Sequence, residues 1–211
     1  MSRLTEQRVV TVVDYGTGNR GSVANALKRV GARTVLASTP QDVRAAERLV
    51  LPGVGAFDAA AERLWHSGLA EAVAVVARAA ETPVLGVCLG MHLLADASDE
   101  GSLPGLGVVA GVARRLDTAA HGPPPRIPHV GWAELAGRDD PLLEDIDEPR
   151  FYFSHSYRFV PRSQRDVVAT ATYGDEFPAI VRTGRVWGAQ FHPEKSGRNG
   201  MQFLRNFLAM T

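Results

Sequence analysis

Cys88 is flanked by Gly86 two residues before it and Gly90 two residues after it, the spacing of a nucleophile elbow whose serine version reads Gly-x-Ser-x-Gly. The corner is sharp, so its neighbours two away must lack bulk. Val84 to Val87 reads as a short buried strand, and Leu89 to Ala97 as a helix, with Leu89, Leu93 and Leu94 near helical spacing. The first backbone N–H groups of that helix favour a thiolate over a thiol, and the N–H of Leu89 points where an oxyanion forms. A hundred residues on, His192 and Glu194 stand two apart in an extended run, so they face one side. A carboxylate beside an imidazole sets its tautomer and stabilises its charged form. The imidazole can take the Cys proton and later hand it to a leaving amine. Pro52-Gly-Val-Gly55 adds a loop whose backbone N–H groups can approach a substrate carbonyl. Each piece has a plain alternative: Cys88 as a small buried hydrophobe, His-Pro-Glu as a surface pair, the glycine loop as a tight β–α turn. The three together, in that order and spacing, are far more specific than any one.

The elements that must position these groups follow from the pattern of the chain. Val9 to Val13 reads as a first buried strand, and Val23, Ala26, Leu27 and Val30 fall at i, i+3, i+4 and i+7 of a helix ended by Gly31. Gly16, Gly18 and Gly21 after the first strand suggest a dinucleotide loop, but Ala37, Ser38 and Thr39 stand where an acidic ribose partner belongs, so a tight turn is the better reading. A second strand over Arg33–Ala37 leads to a helix start with Thr39 as cap, Pro40 first and Asp42 in the first turn. A third strand, Arg48–Leu51, runs into the glycine loop, followed by helical Asp58–Trp65 and Leu69–Ala80. This alternation predicts an open, mostly parallel α/β sheet with helices on both faces, and ligands outside the carboxyl ends of its strands. The second half reads differently. Val108–Leu116 is expected as a strand, His121–Pro125 as a loop or short extended segment, and Arg126–Trp132 as irregular. Phe151–Phe153, Tyr157–Val160, Val167–Tyr173, Ala179–Arg182 and Val186–Gln190 are expected as strands, several in hairpins about Gly174 and Gly184. Met201, Leu204, Phe207 and Leu208 are placed on a closing helix. No repeat or long linker divides residues 1–211, which reads as one domain.

Composition narrows the function. The 211 residues are 45% hydrophobic and 22% charged, with 23 basic and 23 acidic side chains. Zero net charge argues against a general nucleic-acid or anionic-membrane binder. No apolar run reaches the ~20 residues that span a bilayer, and Met1–Gln7 lacks a signal-peptide core, so the cytoplasm is the expected compartment. A single Cys excludes an internal disulfide and a Cys-rich zinc site. His129, His155 and Trp132 offer no matching ligand cluster, so neither metal nor cofactor is expected.

Gly-Val-Cys88-Leu-Gly-Met and Gln-Phe-His192-Pro-Glu-Lys-Ser resemble the triad-type, class I glutamine amidotransferases. Asp14-Tyr-Gly-x-Gly-Asn19, Leu51-Pro-Gly-Val-Gly-Ala-Phe57, Pro128-His-Val-Gly-Trp132, Tyr152-Phe-Ser-His-Ser-Tyr157 and Lys195-Ser-Gly-x-Asn-Gly resemble one family within it, the glutaminase subunit of imidazole glycerol phosphate synthase, over essentially the whole chain. The resemblance implies a flavodoxin-like amidotransferase fold in which Cys88 attacks the side-chain amide of glutamine, His192 acts as base and then acid, and Glu194 orients His192. It implies an oxyanion site from the Leu89 N–H and the backbone of Gly53, Val54 and Gly55, a loop thought in the family to rearrange before it donates. Glu100 and the backbone of Ser154, His155 and Ser156 match other substrate-holding positions. His92 departs from the family's usual Gln; it keeps hydrogen-bonding capacity but is shorter and can be charged. The implied partner is a (β/α)8 cyclase subunit that receives ammonia, with Asn19, Trp132, Tyr152 and Lys195 near the interface. Two alternatives stay open: a glutaminase serving pyridoxal phosphate or anthranilate synthesis, and a non-enzymatic flavodoxin-like protein with Cys88 as redox sensor. The first is set apart by the Pro52–Phe57 loop; the second needs no imidazole at the sulfur.

Overall fold

A computed structural model describes residues 7–116, 126–137 and 139–211; the loop expected at His121–Pro125 lies outside them. The chain runs β1 (Val9–Val13), α1 (Arg20–Arg29), β2 (Arg33–Ala37), α2 (Pro40–Arg44), β3 (Leu49–Gly53), α3 (Phe57–His66), α4 (Leu69–Ala79), β4 (Val84–Cys88) and α5 (Leu89–Leu93). It continues through β5 (Ala97–Ser98), β6 (Gly111–Arg115), β7 (His129–Glu134), β8 (Ala136–Gly137), β9 (Arg150–His155), β10 (Tyr157–Pro161), β11 (Val167–Tyr173), β12 (Asp175–Thr183), β13 (Val186–Ala189) and α6 (Gly197–Ala209). The main sheet has the order β2-β1-β3-β4-β13-β12-β11-β8. Its first five strands are parallel and the last three join through antiparallel ladders. Two small sheets, β10-β6-β5 and β7-β9, lie beside it.

The sheet divides the core in two, as the period of 2 in each strand requires. In β3, Val50 packs on one side with Leu27, Phe203 and Phe207, while Leu49 and Leu51 pack on the other with Leu64, Val73 and Leu94. Local chemistry sets several boundaries. At the start of α2, the Thr39 side chain accepts from the Asp42 N–H while Asp42 accepts from the Thr39 N–H, so two otherwise free donors are satisfied reciprocally. Gly174 and Gly184 hold positive φ at the two hairpin turns, as their positions suggest.

Three expectations need correction. The helix after Cys88 ends at Leu93, not Ala97, and Ala97–Ser98 is a strand paired with β6. The carbonyls of Leu93, Leu94 and Ala95 are taken by the N–H groups of Leu106, Val108, Val109 and Gly107. Tertiary bonds thus replace further helix, and the same segment delays β6 to Gly111 instead of Val108. Residues 129–132, expected to be irregular, begin β7, whose partner β9 lies about twenty residues on. Pro128 just before it masks the strand pattern, since proline is confined to strand starts and edges.

Candidate active site

Three neighbouring parallel strands deliver the three motifs to one place. Gly53 of β3 is in register with Cys88 of β4, and Ala189 of β13 is in register with Val87, so the glycine loop, the sulfur and the segment leading to His192 leave the sheet side by side. Cys88 sits at φ +53° and ψ −111°, at the junction of β4 and α5. Positive φ in a non-glycine residue is strained and persists only where its surroundings impose it. The flanking glycines show how: a Cβ on Gly86 would stand 2.7 Å from the Gly90 carbonyl oxygen, and a Cβ on Gly90 would collide with the carbonyl of Leu51.

His192 lies in the first turn after β13. Its backbone N–H donates to the Tyr152 carbonyl at 2.9 Å, and Ser196 Oγ donates to the His192 carbonyl at 2.6 Å while accepting from the Tyr152 N–H at 2.9 Å. The imidazole is therefore held to β9 by its own backbone. Its Nδ1 meets Glu194 Oε1 at 2.8 Å, both side chains being almost fully buried. That leaves Nε2 to interact with the Cys88 sulfur, which lines the same pocket. Burial alone works to lower the His192 pKa, but the interactions with Cys88 and Glu194 outweigh it and raise the value from 6.5 to about 9. An imidazole beside the sulfur is the feature that the redox-sensor alternative does not need.

A pocket of about 630 Å³ opens on this group. Asn19, Val54, Gly55, Cys88, Leu89, His92, Glu100, Ser154, His155, Ser156, His192 and Lys195 all line it. Gly53 and Glu194 stand just behind the lining, Gly53 against the backbone of Leu89 and Gly90 and Glu194 behind His192. The sulfur of Cys88 is 3.8 Å from the Ser154 carbonyl. Glu100 accepts from the Phe57 N–H at the start of α3, and burial raises its carboxyl pKa.

His92 differs from the sequence expectation. It is buried, its Nε2 donates to Gln190 Oε1 at 2.8 Å, and burial, only partly opposed by that bond, lowers its pKa to about 4. Around neutral pH it is an uncharged imidazole. His155 is likewise neutral: its Nδ1 donates to the Tyr157 carbonyl, so Nε2 accepts from His129 Nδ1 at 3.0 Å. Burial lowers His155 to about 3 and His129 to about 4. Among the described residues there is no group of three or more His, Cys, Asp or Glu that could hold a metal ion.

Trp132 and Tyr152 do not line the pocket. They face each other across β7 and β9 with ring centroids 6.0 Å apart, and Lys195 Nζ lies 5.8 Å from the Tyr152 ring centroid. Trp132 remains 47% exposed. Sequence reasoning missed Gly18, Ser22, Pro128 and Tyr157 in the lining and gave no individual role to Tyr15, Gln190 and Ser196. All but Ser22 lie within quoted motifs, which is the available signal; Tyr15 and Gln190 bond to remote partners, and Ser196 to one near and one remote.

Comparison with known proteins agrees with this geometry. The family model "Glutamine amidotransferase class-I" matches residues 11–211. The chain is 42% identical over 204 residues to imidazole glycerol phosphate synthase subunit HisH 2 of Pseudomonas aeruginosa, covering 96% of this chain and 100% of that one. It is 44% identical over 208 residues to the subunit HisH of Natronomonas pharaonis, covering 94% and 93%. It is also 43% identical over 208 residues to the chloroplastic imidazole glycerol phosphate synthase hisHF of Arabidopsis thaliana, covering 97% of this chain and 34% of that longer protein. Among solved structures, a glutamine amidotransferase superposes with a TM-score of 0.73 at 22% identity, covering 94% and 96% of the two chains. The structure of PurLQS from Thermotoga maritima gives 0.73 at 19% identity, covering 96% and 98%. At those identities the likeness concerns the fold. No described helix is long and apolar enough to cross a membrane. With full-length relatives above 40% identity and a matching family model over nearly its whole length, the chain belongs to the HisH subunits of imidazole glycerol phosphate synthase, within the class I glutamine amidotransferases.

Proposed function

We propose that this chain, as a single domain over residues 1–211, hydrolyses glutamine in the cytoplasm and passes the ammonia to a (β/α)8 cyclase subunit of histidine biosynthesis. The carrying observation is the meeting of Cys88, His192 and Glu194 at one pocket, with the sulfur on a strained elbow. Cys88 Sγ bonds to the side-chain amide carbon of glutamine as its proton passes to His192. The C–N bond then breaks with His192 protonating the nitrogen, which leaves as ammonia and a γ-glutamyl thioester. Water, giving a proton to His192, attacks the thioester carbon; the C–S bond breaks and the thiol recovers its proton as glutamate departs. The Leu89 N–H and a backbone N–H of Gly53–Gly55 hold the oxyanion in both tetrahedral states. His92 and Glu100 hold the polar groups of the amino-acid end, and Ser154, His155 and Ser156 offer their backbone to it. Glutamine is the substrate, and no cofactor enters. Trp132, Tyr152 and Lys195 form the docking rim for the cyclase. The Arabidopsis relative, in which the matched region is about a third of one polypeptide, supports a partner held permanently against this domain.

The test is Cys88→Ala in the complex with the cyclase. Glutamine-dependent synthesis is lost, and synthesis from added ammonium salt remains. Loss of both in a folded complex removes the role given to Cys88, and binding of a different synthase in place of the cyclase removes the pathway.

A further inference from the structure

The turn between β1 and α1 carries the motif Asp14-Tyr-Gly-x-Gly-Asn19, to which the reaction above assigns no chemistry. Asn19 occupies the N-cap of α1, where an asparagine normally accepts from the helix's free N–H groups, yet its side chain makes no such bond. Its Nδ2 instead donates to Glu194 Oε1 at 2.8 Å. The same oxygen accepts His192 Nδ1, while Glu194 Oε2 is buried without a partner. Among the described residues the carboxylate thus has two donors, both on one oxygen, and Asn19 is the one that fixes it from outside its own turn. A lone hydrogen bond to His192 would let the carboxylate swing about that contact; a second donor at the same oxygen holds the oxygen in place behind the imidazole.

The turn that presents Asn19 is itself anchored. Tyr15 Oη donates to the Pro52 carbonyl at 2.8 Å in a buried contact, and burial pushes its pKa to about 12, so it keeps its proton. Asp14 accepts from the Gly16 N–H at 3.0 Å and pairs with Arg20 at 3.1 Å. Gly18 packs against the same strand end: a Cβ there would lie 3.5 Å from the Pro52 carbonyl oxygen and 3.6 Å from Gly53 Cα. The β1–α1 turn therefore touches the glycine loop on one side and the Glu194 carboxylate on the other.

We propose that Asn19 is a positioning residue for glutamine hydrolysis, holding the Glu194 carboxylate behind His192 from the β1–α1 turn. This rests on the glutaminase reading above.

Asn19→Asp in the complex with the cyclase tests it, because aspartate caps a helix as well as asparagine does but brings a second carboxylate to Glu194. The two carboxylates coexist only while they share a proton, which then takes over the lost donor's place. Expected are a kcat for glutamine about tenfold or more below wild type at pH 8, KM within about twofold, and a variant-to-wild-type ratio of kcat that falls as pH rises. Asn19→Ala loses a similar factor without the added slope, and synthesis from ammonium salt is unchanged in both. Wild-type turnover by Asn19→Asp at every pH overturns the proposal and leaves the glutaminase reading intact. So does a parallel loss of ammonia-dependent synthesis, which marks a docking residue, or a rise in KM alone. A wild-type complex without glutamine-dependent turnover removes the reading and the inference together.

Discussion

Replacing Glu194 by Gln isolates the charge behind His192, for a reason particular to this site. An amide in place of a carboxylate can flip and present N–H to the imidazole, imposing the wrong tautomer, and that is what makes such substitutions severe in other triads. Here Glu194 Oε1 faces two donors, His192 Nδ1 and Asn19 Nδ2, each at 2.8 Å, while Oε2 faces no partner. Only one orientation of the new amide avoids two donor–donor clashes, with its oxygen at Oε1, so tautomer and ring position survive and the charge alone is lost. The rise of the His192 pKa from 6.5 to about 9 corresponds to about 3 kcal/mol in favour of imidazolium. Cys88 and Glu194 supply that rise against burial, so losing the Glu194 charge removes roughly 1–3 kcal/mol and lowers kcat about 10- to 100-fold. Without it the His192 pKa falls. The assays are glutamine turnover by the complex across pH, and the rate at which iodoacetamide alkylates Cys88, the only cysteine, across the same range. Glu194→Ala, which strands both donors, costs more. A Glu194→Gln enzyme with unchanged rate and pH profile refutes the electrostatic role, and a loss of about 10⁴, as in a wrong-tautomer triad, refutes the argument that Asn19 dictates the amide's orientation.

Two further outcomes concern the fold around the site. Gly90→Ala drives a methyl into the Leu51 carbonyl, and because the obstacle is backbone the strain is about 3 kcal/mol or more. The melting temperature falls by about 6–12 °C; a variant that melts with wild type contradicts the packing at the elbow. Acid unfolds the protein early, because His92 and His155 are held neutral with pKa values lowered to about 4 and about 3. The unfolded chain takes up their protons below ~6.5 and the folded chain does not, so this stability is complete above ~6.5 and drains as pH falls, by about 2 kcal/mol for each at pH 5. His129, lowered as well, acts in the same direction. His192 has the opposite sign: with its pKa raised, its contribution is complete below ~6.5 and is lost only as pH rises through about 9, so it adds no reserve against acid. Calorimetry in buffers of different ionisation heat reads about two or more protons taken up on unfolding near pH 5; a melting temperature flat from pH 7 to 5 contradicts the neutral histidines.

The site was legible where a residue's job depends on neighbours close in sequence. Gly86 and Gly90 announce the elbow because the steric demand spans two residues, and His192 with Glu194 announce a braced imidazole for the same reason. Thr39, Pro40 and Asp42 announced a helix start on equally local grounds. The misread elements depend on remote groups. Leu89–Ala97 has the composition of a helix, but its last carbonyls are claimed by residues 106–109, so the helix stops at Leu93. β7 exists because β9 lies beside it, and nothing within residues 129–134 records that partner.

The second layer of the site belongs to this remote class, and the order of the sheet explains why. Strands β1, β3, β4 and β13 are adjacent in space, yet they come from residues 9, 49, 84 and 186 onward. Only that order sets the β1–α1 turn against the β3 loop and brings Asn19 to Glu194, 175 residues away. Ser196 is a milder case: its link to His192 spans four residues, but its link to Tyr152 spans 44. A motif therefore reports the atoms that react, because their spacing is fixed by one strand and one turn. The groups that aim those atoms come from whichever strand ends the topology places alongside. For the same reason Asn19 stands in the sequence only as the end of the Asp14–Asn19 motif, expected near the cyclase interface, until Glu194 is seen beside it: the cap position explains why an asparagine is tolerated there, and the remote carboxylate explains where its amide points.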